Sequence, residues 1–420
     1  MDLNPPKGFR DLMPNEALMM EEVCSKIAEV FRLFGFCTID TPMLERLDIL
    51  RAKDAIGEEG KLIYEIDNGE LGLRYDKTVS LARFFANNRN LPLPFKRYSI
   101  GKSWRREEPQ KLRYREIMQA DIDILGGENV YADAEVIAAA SSALEALGLK
   151  YIVKINDRRI LDASMEKSGV PKEKRGEVLH AIDKLDKIGL EEVSNLVIEV
   201  VGKDKAGALL NMLALKGSND EKVGYVTDSV DSGVGKQFAE LLGIISGYGL
   251  KGKVEVDFST VRGIDYYTAT AFEFWVERDD IRSAIGGGGR YDRLIGMYGG
   301  REINATGTAL GIDRILDVLE FSKSAKHTYA RCVVCTIKPA NFAYALKVSK
   351  SFRDAGINTE LNVSNRNIAN QLDYANSLNI RFAAIVGDTE QKDGMVKIRD
   401  MVSGSESVLE IDDAIALMKR

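Results

Sequence analysis

Residues 95–123, FKRYSIGKSWRREEPQKLRYREIMQADID, form the stretch of this chain whose side chains are best suited to chemistry. The first 21 of these residues contain eight lysines and arginines but two glutamates, within a chain of net charge −6. Asp121 and Asp123 follow shortly afterwards. This local reversal of charge predicts a site for a polyanion beside a site for a cation or an amine.

Four arginines lie in predicted strands or in turns from strand to helix: Arg105, Arg113, Arg262 and Arg314. A buried guanidinium needs an anionic partner, and its fork matches phosphate oxygens in pairs, so a triphosphate is one candidate. A salt bridge to a nearby Asp or Glu is the alternative for each of them. The chain has no G-x-x-x-x-G-K-[ST] motif and no dinucleotide-binding glycine motif. A nucleotide site would therefore rest on an antiparallel sheet with arginine clamps.

The length of 420 residues, with 45% hydrophobic and 29% charged residues, predicts a globular protein of two to four domains. No apolar run approaches the ~20 residues of a membrane span, and the N-terminus lacks a signal-peptide core. We therefore expect a cytoplasmic protein that does not contact a membrane. The negative net charge argues against general nucleic-acid binding but allows docking on local basic patches.

Histidine and cysteine are scarce. The two histidines, His180 and His327, lie far from the candidate site in sequence, so chemistry here must work through arginines, carboxylates, backbone and metal. Cys332 and Cys335 have CxxC spacing inside the predicted strand RCVVCTI, where positions three apart face opposite sides. No second pair completes a zinc site, and we predict buried structural cysteines.

The first third of the chain predicts helices at residues 16–33 and 131–147, the second with Asp133 near its N-terminus. FGFCTIDTPMLE predicts a strand interrupted by Pro42, which places the strand at a sheet edge or against a partner subunit. Further strands are predicted in LIYEID, LGLRYD and PFKRYSIGKSWR.

Residues 156–250 predict an inserted helical domain, after which KVEVDFST and TATAFEFWVE return to strand periodicity. The four glycines of GGGGRYD indicate either an unusual turn or a strand whose backbone lies against a ligand. TGTALGIDRILDVLEF predicts a strand followed by a helix. Residues 330–420 predict an α/β domain with a mainly parallel or mixed sheet, from strands in RCVVCTI, INTELNV, RFAAIVG and MVKIRDMV and helices near 342–354, 366–378 and 411–419.

The chain resembles the histidyl-tRNA synthetases, a family of class II aminoacyl-tRNA synthetases, over essentially its full length. The resemblance rests on segments that occur in the family's order: FGFCTIDTPMLE (motif 1), LRYDKT, FKRYSIGKSWRREEPQKLRYREIMQADIDILG (motif 2), VRGIDYYTATAFEF, GGGGRYD and TGTALGIDRIL (motif 3). It implies an α+β catalytic core with an antiparallel sheet flanked by helices, a helical insertion and a C-terminal α/β anticodon-binding domain. The corresponding ranges are 1–155 and 251–323 for the core, 156–250 for the insertion and 330–420 for the last domain.

The resemblance implies ATP-dependent ligation of L-histidine to histidine tRNA through a histidyl-adenylate. It also implies Mg²⁺ with the ATP and a homodimer formed through motif 1. Two alternatives are a non-catalytic paralogue that regulates the first enzyme of histidine biosynthesis and a synthetase-like sensor of uncharged tRNA. The first usually lacks the anticodon domain and loses the motif arginines, and the second normally belongs to a longer chain with a kinase.

The family's site residues carry over position by position. Arg105 and Arg262 would act in catalysis by facing the α-phosphate from two sides. The ATP-binding set is Arg105, Glu107, Arg113, Ile117 and Arg314. The histidine-binding set is Asp76, Lys77, Thr78, Arg105, Gln119, Asp123, Arg262, Tyr266 and Tyr267.

Within the histidine-binding set, the resemblance divides the substrate between two groups of residues. Asp76, Thr78 and Gln119 would bind the α-amino group, and Asp123 would read the imidazole with Tyr266 and Tyr267. From the residues alone, Asp121 and Asp123 are equally a solvated strand face, and the two tyrosines are equally core or edge aromatics.

Three positions depart from the family pattern. Asp76 stands where a glutamate is frequent, and Leu112 stands where motif 2 commonly has a glycine. Ile117 replaces the phenylalanine that stacks on adenine, which keeps an apolar contact but loses about 1 kcal/mol of stacking.

Arg262→Ala should lower the rate of adenylate formation by orders of magnitude, because it removes charge that stabilises the transition state. Histidine binding should change far less, because the other residues of the histidine-binding set remain. Histidine-dependent exchange of pyrophosphate into ATP measures the first effect and equilibrium binding of histidine the second. Unchanged exchange would refute the catalytic role of Arg262.

Overall fold

The computed structural model describes residues 1–51, 62–110, 113–261, 267–276, 284–299, 302–319, 327–364 and 366–420. The chain divides into two compact units, one of residues 1–11 and 20–320 and the other of residues 12–19 and 321–420. In the described part of the chain, no helix has the length and apolar character that a membrane crossing requires.

The strands of the first unit are β1 (Cys37–Thr38), β2 (Leu44–Arg46), β3 (Tyr64–Ile66), β4 (Leu71–Leu73), β5 (Phe95–Trp104), β6 (Glu116–Leu125), β7 (Tyr151–Asp157), β8 (Val254–Val256), β9 (Thr270–Val276), β10 (Ala284–Arg290) and β11 (Ala305–Gly311). Eight of them form one sheet in the order β1-β5-β6-β11-β10-β9-β7-β8. Its centre is antiparallel, and β1 and β8 pair in parallel at its two ends. The predicted antiparallel core sheet is therefore confirmed, with a parallel strand added at each edge.

The helices that lie wholly or mostly in this unit are α1 (Pro14–Leu33), α2 (Leu47–Arg51), α3 (Thr78–Asn87), α4 (Asn129–Ala146), α5 (Arg158–Lys167), α6 (Lys172–Ile182), α7 (Leu185–Val201), α8 (Lys203–Leu213), α9 (Asn219–Tyr225), α10 (Ser232–Ile245), α11 (Leu294–Met297) and α12 (Ile312–Val318). The predicted helix at 16–33 is confirmed by α1, which buries one apolar side that includes Val23, Ile27 and Phe31. The helix predicted at 131–147 is confirmed by α4. Asp133 of α4 is buried, accepts a hydrogen bond from the hydroxyl of Thr270 and forms an ion pair with Arg290. These contacts join α4 to the sheet.

Pro42 separates β1 from β2, and the two strands belong to different sheets. β1 is the edge strand of the eight-stranded sheet, as the proline predicts, whereas β2, β4 and β3 form a small antiparallel sheet. Between β7 and β8, the chain forms the helices α5 to α10. Their starts are capped in three cases by a side chain, from Asp157, Ser218 and Asp231.

The second unit contains β12 (Cys332–Thr336), β13 (Thr359–Leu361), β14 (Phe382–Val386), β15 (Met395–Asp400) and β16 (Glu406–Glu410), with α13 (Phe342–Asp354), α14 (Ile368–Ser377), α15 (Asp388–Asp393) and α16 (Ile411–Lys419). The sheet order β13-β12-β14-β15-β16 is parallel on one side and antiparallel on the other, which confirms the mixed-sheet prediction. Strand β16 and helix α15 were not predicted.

Cys332 and Cys335 are both fully buried and belong to two different apolar clusters, one on each side of β12. Burial raises the pKa of both thiols, that of Cys335 to about 12. The prediction of structural cysteines is confirmed, because thiols on opposite sides of a strand cannot pair with each other.

The glycine run is part of a strand, not a turn. Gly286 to Gly289 lie in β10, between β9 and β11. A Cβ on Gly288 would lie 2.0 Å from the carbonyl oxygen of Gly307 in β11, which is far inside van der Waals contact. The two strands can approach this closely only with glycine at that position.

Gly288→Ala should destabilise the protein by about 1–3 kcal/mol, the usual cost of overpacking, because the obstructing atom belongs to the backbone of a central strand. Gly207→Ala is a matched control in α8, where a Cβ meets no atom within 4 Å and alanine is the better helix former. The midpoint of thermal unfolding should fall for the first variant and stay level or rise for the second. Equal midpoints would contradict this account of the glycine run.

Candidate active site

Strands β5 and β6 form the floor of the site. Their register pairs Arg97 with Asp123, and Gly101 with Gln119. Side chains alternate between the two faces of a sheet, so Arg97, Asp123 and Gln119 share one face. The opposite face carries apolar residues such as Ile122, which is fully buried.

Asp123 is held on this face by two partners. The hydroxyl of Tyr291, the residue after β10, donates to Asp123 Oδ1, and Arg97 Nη2 lies 2.7 Å from Asp123 Oδ2. The guanidinium of Arg97 and Asp123 Oδ2 form an ion pair, but the angle between them does not allow a well-aligned hydrogen bond. Burial raises the pKa of Asp123 to about 6. Arg97 and Tyr291 oppose this increase, because both favour the ionised carboxylate.

A second buried pair lies beside the first. Lys77 Nζ is 3.1 Å from Asp121 Oδ1 and donates to the carbonyl oxygens of Gly101 and Gln119 at 3.3 Å. Burial lowers the pKa of Lys77, and Asp121 counteracts that effect. These contacts fasten the start of α3 to the middle of β5 and β6.

Asp76 sits in the turn that leads into α3. Its Oδ1 accepts the backbone N–H groups of Thr78 and Val79, both at 3.1 Å, which satisfies two of the donors that a helix start leaves open. Burial raises the pKa of Asp76, while the hydrogen bond from Val79 and the charge of Arg105 favour its ionised form. Thr78 is the first residue of α3 and is therefore adjacent to this carboxylate.

Two buried oxygens on this face lack a well-aligned hydrogen bond within the described residues: Gln119 Oε1, and Asp123 Oδ2, which has Arg97 Nη2 at 2.7 Å. A buried acceptor without a donor is unusual, because losing water without replacement costs about 1–3 kcal/mol. Gln119 Oε1 therefore indicates a place where a ligand with N–H groups can bind. Asp123 Oδ2 can accept from such a ligand in addition to its contact with Arg97, because a carboxylate oxygen has two lone pairs.

Glycines in the neighbouring strands make room beside Asp123. A Cβ on Gly307 of β11 would lie 2.1 Å from Asp123 Oδ1, and one on Gly289 of β10 would lie 2.8 Å from Cδ1 of Tyr267. These glycines let the buried carboxylate and the tyrosine ring lie directly over the sheet backbone.

The arginines lie at the loop that joins β5 to β6. Arg105 Nε donates to the carbonyl oxygen of Tyr75 at 3.1 Å, and its Nη1 is 3.9 Å from Glu107. Arg113 forms an ion pair with the same carboxylate through its Nε. Glu107 is buried and Arg113 is half exposed, so this carboxylate holds both arginines near the loop.

Arg314 belongs to α12, which follows β11 directly, and its Nη1 donates to the carbonyl oxygen of Ala284 at 2.5 Å. Ile117 is partly buried near the start of β6, where it pairs with Ser103. The salt-bridge alternative is confirmed for Arg113 and, at 3.9 Å, for Arg105, both with Glu107. It does not exclude phosphate binding by Arg113, because half of that side chain is exposed.

Arg10 joins the N-terminal segment to this end of the site. Its Nη2 lies 2.6 Å from Asp313 Oδ1 at the start of α12, and its guanidinium carbon lies 4.1 Å from the centre of the Tyr114 ring. Asp313 Oδ2 accepts the N–H of Met118 in β6 at 2.6 Å. One arginine thus ties the loop of motif 2 to the helix of motif 3.

The structure brings together the predicted residues 76–78, 105, 107, 113, 119 and 123 around one face of β5 and β6. Arg262 and Tyr266 lie outside the described residues, as does Leu112. Tyr267 is buried and shares an apolar cluster with Tyr291. The solvated-face interpretation of Asp121 and Asp123 is wrong, because both are no more than 3% exposed.

The sequence did not indicate two partners of Asp123. Arg97 is one of eight basic residues in its segment, but its partner depends on the register of β5 against β6, which composition does not give. Tyr291 lies in GGGGRYD, 168 residues from Asp123. The one indication in the sequence that Tyr291 belongs to the site is its position in GGGGRYD, a segment shared with the family.

An antiparallel sheet with arginines and buried carboxylates on one face, followed by a separate mixed α/β unit, defines a class II aminoacyl-tRNA synthetase. A family model described as Histidyl-tRNA synthetase matches residues 8–315, and one described as Anticodon binding domain matches residues 331–420. The chain belongs to the histidyl-tRNA synthetase family.

Similar proteins cover nearly the whole chain. The histidine–tRNA ligase of Aeropyrum pernix is 36% identical over 444 residues, covering 99% of this chain and 98% of its own length. That of Korarchaeum cryptofilum is 36% identical over 412 residues, covering 92% of each. A crystal structure of histidyl-tRNA synthetase from Nostoc sp. PCC 7120 superposes with a TM-score of 0.87 at 25% identity, covering 100% of this chain and 99% of its own.

Arg10→Met should destabilise the first unit by about 1–3 kcal/mol, because Asp313 stays nearly buried and loses its cationic partner. Arg46→Met is the matched control, since the ion pair of Arg46 with Asp48 is exposed and should contribute little. Thermal unfolding measures the stabilities, and amide hydrogen exchange should be faster around Met118 in the first variant. If Arg10→Met costs no more than Arg46→Met, Arg10 does not join the two motifs.

Proposed function

We propose that this chain catalyses the ATP-dependent ligation of L-histidine to histidine tRNA, through a histidyl-adenylate, for protein synthesis. The observation that carries the proposal is the pair of buried acceptors on β6, Asp123 Oδ2 and Gln119 Oε1. An imidazole N–H and an α-ammonium group are donors that would satisfy them. Asp76 and Thr78 would complete the site for the ammonium group, with Tyr266 and Tyr267 beside the ring.

In the first step, an oxygen of the histidine carboxylate attacks the α-phosphorus of ATP. The new bond joins histidine to AMP, and the bond to pyrophosphate breaks. Arg105 and Arg262 would stabilise the charge that develops on the α-phosphate, because a guanidinium stays charged and matches phosphate oxygens in pairs. Arg113 and Arg314 would hold the rest of the nucleotide, and Ile117 would contact the adenine.

Glu107 would act through these arginines. It already lies between Arg105 and Arg113, so it can fix the direction of both guanidinium groups before ATP arrives. Lys77 belongs to the histidine-binding set, and we propose that its three contacts with β5 and β6 give it a supporting role there.

ATP would enter with Mg²⁺, which would neutralise phosphate charge. Within the described residues no cluster of three or more histidines, cysteines or carboxylates could hold a metal ion. Mg²⁺ commonly keeps several waters and needs only one or two carboxylates besides the phosphates, so the ion fits here as part of the nucleotide complex. Among the described residues, Glu107 is the carboxylate that pairs with Arg105 and Arg113.

In the second step, a hydroxyl of the terminal ribose of the tRNA attacks the carbonyl carbon of the adenylate, and AMP leaves. A phosphate oxygen of the substrate would take the hydroxyl proton. The chain has two histidines, at positions 180 and 327, and neither belongs to the site. We therefore assign no protein general base to this step.

We further propose a cytoplasmic homodimer formed through motif 1. β1 is an edge strand with both residues exposed, and Met43 and Leu44 are about half exposed, at 53% and 44%. An open edge with apolar side chains beside it is a surface that a second copy can cover.

The regulatory-subunit alternative is not favoured. The last 90 residues match an anticodon-binding domain, and Arg105, Arg113, Arg262 and Arg314 are all present. The high similarity to histidine–tRNA ligases over nearly the full length favours the enzyme as well.

Histidine should support exchange of labelled pyrophosphate into ATP, because adenylate formation is reversible. Phenylalanine should not, since a site built to hydrogen-bond a substrate rejects an analogue without those groups by about 10⁴. Charging of histidine tRNA should follow the same preference. A folded protein without histidine-dependent exchange would overturn the proposal.

A further inference from the structure

The partners of Asp123 make up a small buried unit that has no role in the two reaction steps. Arg97 on β5 is 1% exposed and Tyr291 after β10 is 2% exposed. One contacts each oxygen of Asp123, so the carboxylate cannot rotate without losing a partner. Neither residue belongs to the predicted site sets.

We propose that Arg97 and Tyr291 are positioning residues that keep Asp123 an oriented carboxylate, so that the pocket accepts the imidazole of histidine as a neutral ring that donates an N–H. This inference rests on the proposed function and extends it to the protonation state in which the substrate is selected.

The geometry separates the two oxygens of Asp123. Oδ1 accepts from the hydroxyl of Tyr291 and lies against the backbone of Gly307, where a Cβ would be 2.1 Å away. Oδ2 lies 2.7 Å from Arg97 Nη2, and the contact is not aligned as a hydrogen bond. A carboxylate oxygen has two lone pairs, so Oδ2 is the atom that can also accept a ring N–H.

The charge balance favours a neutral ring. Arg97 compensates Asp123, and Lys77 compensates Asp121 on the adjacent position of the same face. An imidazolium placed here would add an uncompensated buried charge, which is costly. A neutral ring leaves the balance unchanged.

The charge on Asp123 depends on its surroundings. The titratable or charged groups that bear on it are Arg97 from β5, Asp121 from β6, Asp76 from the turn before α3, and Tyr291. Burial, Asp121 and Asp76 favour the protonated form, whereas Arg97 and Tyr291 favour the carboxylate. Removing either favourable partner must therefore shift the titration of Asp123 to higher pH.

The test uses Tyr291→Phe in the full-length protein, because this change removes one oxygen and leaves the buried ring. The substrate is a histidine analogue with a 1,2,4-triazole ring, which stays neutral between about pH 5 and about pH 8, so that the substrate ring does not titrate. Pyrophosphate exchange gives kcat/KM, whose pH dependence reports ionisations of the free enzyme.

For the unchanged protein, kcat/KM should be level near neutral pH and fall below about pH 6, as Asp123 takes up a proton. For Tyr291→Phe, the fall should begin about one pH unit higher, the shift expected when a carboxylate loses one hydrogen bond. KM should account for most of the change, since the contact between the substrate ring and Asp123 is made on binding.

Tyr151→Phe is the matched control. Tyr151 is 4% exposed, and its hydroxyl donates to Glu145 at 2.8 Å, far from Asp123 in the fold. Like Tyr291→Phe, Tyr151→Phe removes a hydrogen bond from a buried tyrosine hydroxyl to a carboxylate. General damage to the fold would therefore affect both variants alike. Its pH profile should match that of the unchanged protein.

Arg97 is tested with a pair of variants. Arg97→Lys keeps a positive charge and should shift the profile less than Arg97→Met, so that lysine rescues part of the loss. A profile for Tyr291→Phe that coincides with the unchanged protein, or an equal shift in Tyr151→Phe, would overturn the proposal.

Failure of the proposed function gives a different result. In that case the unchanged protein would show no exchange with histidine at any pH. Active unchanged protein with an unmoved Tyr291→Phe profile would refute the positioning role alone.

Discussion

Opposite charges buried on one face of two long strands are the interaction on which the rest of this structure depends. Arg97 with Asp123, and Lys77 with Asp121, lie at most 5% exposed on one face of β5 and β6. Removing one member of such a pair leaves an uncompensated charge inside the protein, typically at a cost of about 3–5 kcal/mol. Replacing both members by apolar groups is often neutral for stability, so stability alone does not explain why these charges are here. Recognition of a substrate through hydrogen bonds would explain them.

The two pairs also connect distant parts of the chain. Lys77 brings the start of α3 onto the hairpin, and with it the carboxylate of Asp76. Tyr291 brings the end of β10 to Asp123, and glycines at positions 289 and 307 permit that approach. The predicted amino-acid site is therefore held by rigid elements. The predicted ATP site, by contrast, lies at the loop between β5 and β6, where Glu107 and the N-terminal Arg10 restrain it.

Much of this arrangement could be predicted from sequence, and the rest failed for identifiable reasons. Local patterns indicated α1, the strands β5 and β6, and the opposite sides of Cys332 and Cys335, because alternation and helical spacing are properties of neighbouring residues. Ordered motifs then indicated the family. The burial of Asp121 and Asp123 was not evident, since an Asp-Ile-Asp-Ile pattern is equally typical of a strand with one solvated face. Lys77, just before α3, lies against Asp121, and Tyr291 lies against Asp123; these contacts join residues 44 and 168 positions apart.

The central claim is that Asp123 receives the imidazole and that Asp76 and Gln119 receive the α-amino group. A crystal structure of the protein with bound histidyl-adenylate tests it most directly. The account predicts a ring nitrogen within hydrogen-bond distance of Asp123 Oδ2, with Arg97 and Tyr291 unmoved, and the amino group within reach of Asp76 and Gln119 Oε1. A ring bound elsewhere, with Asp123 still contacting only Arg97 and Tyr291, would contradict it.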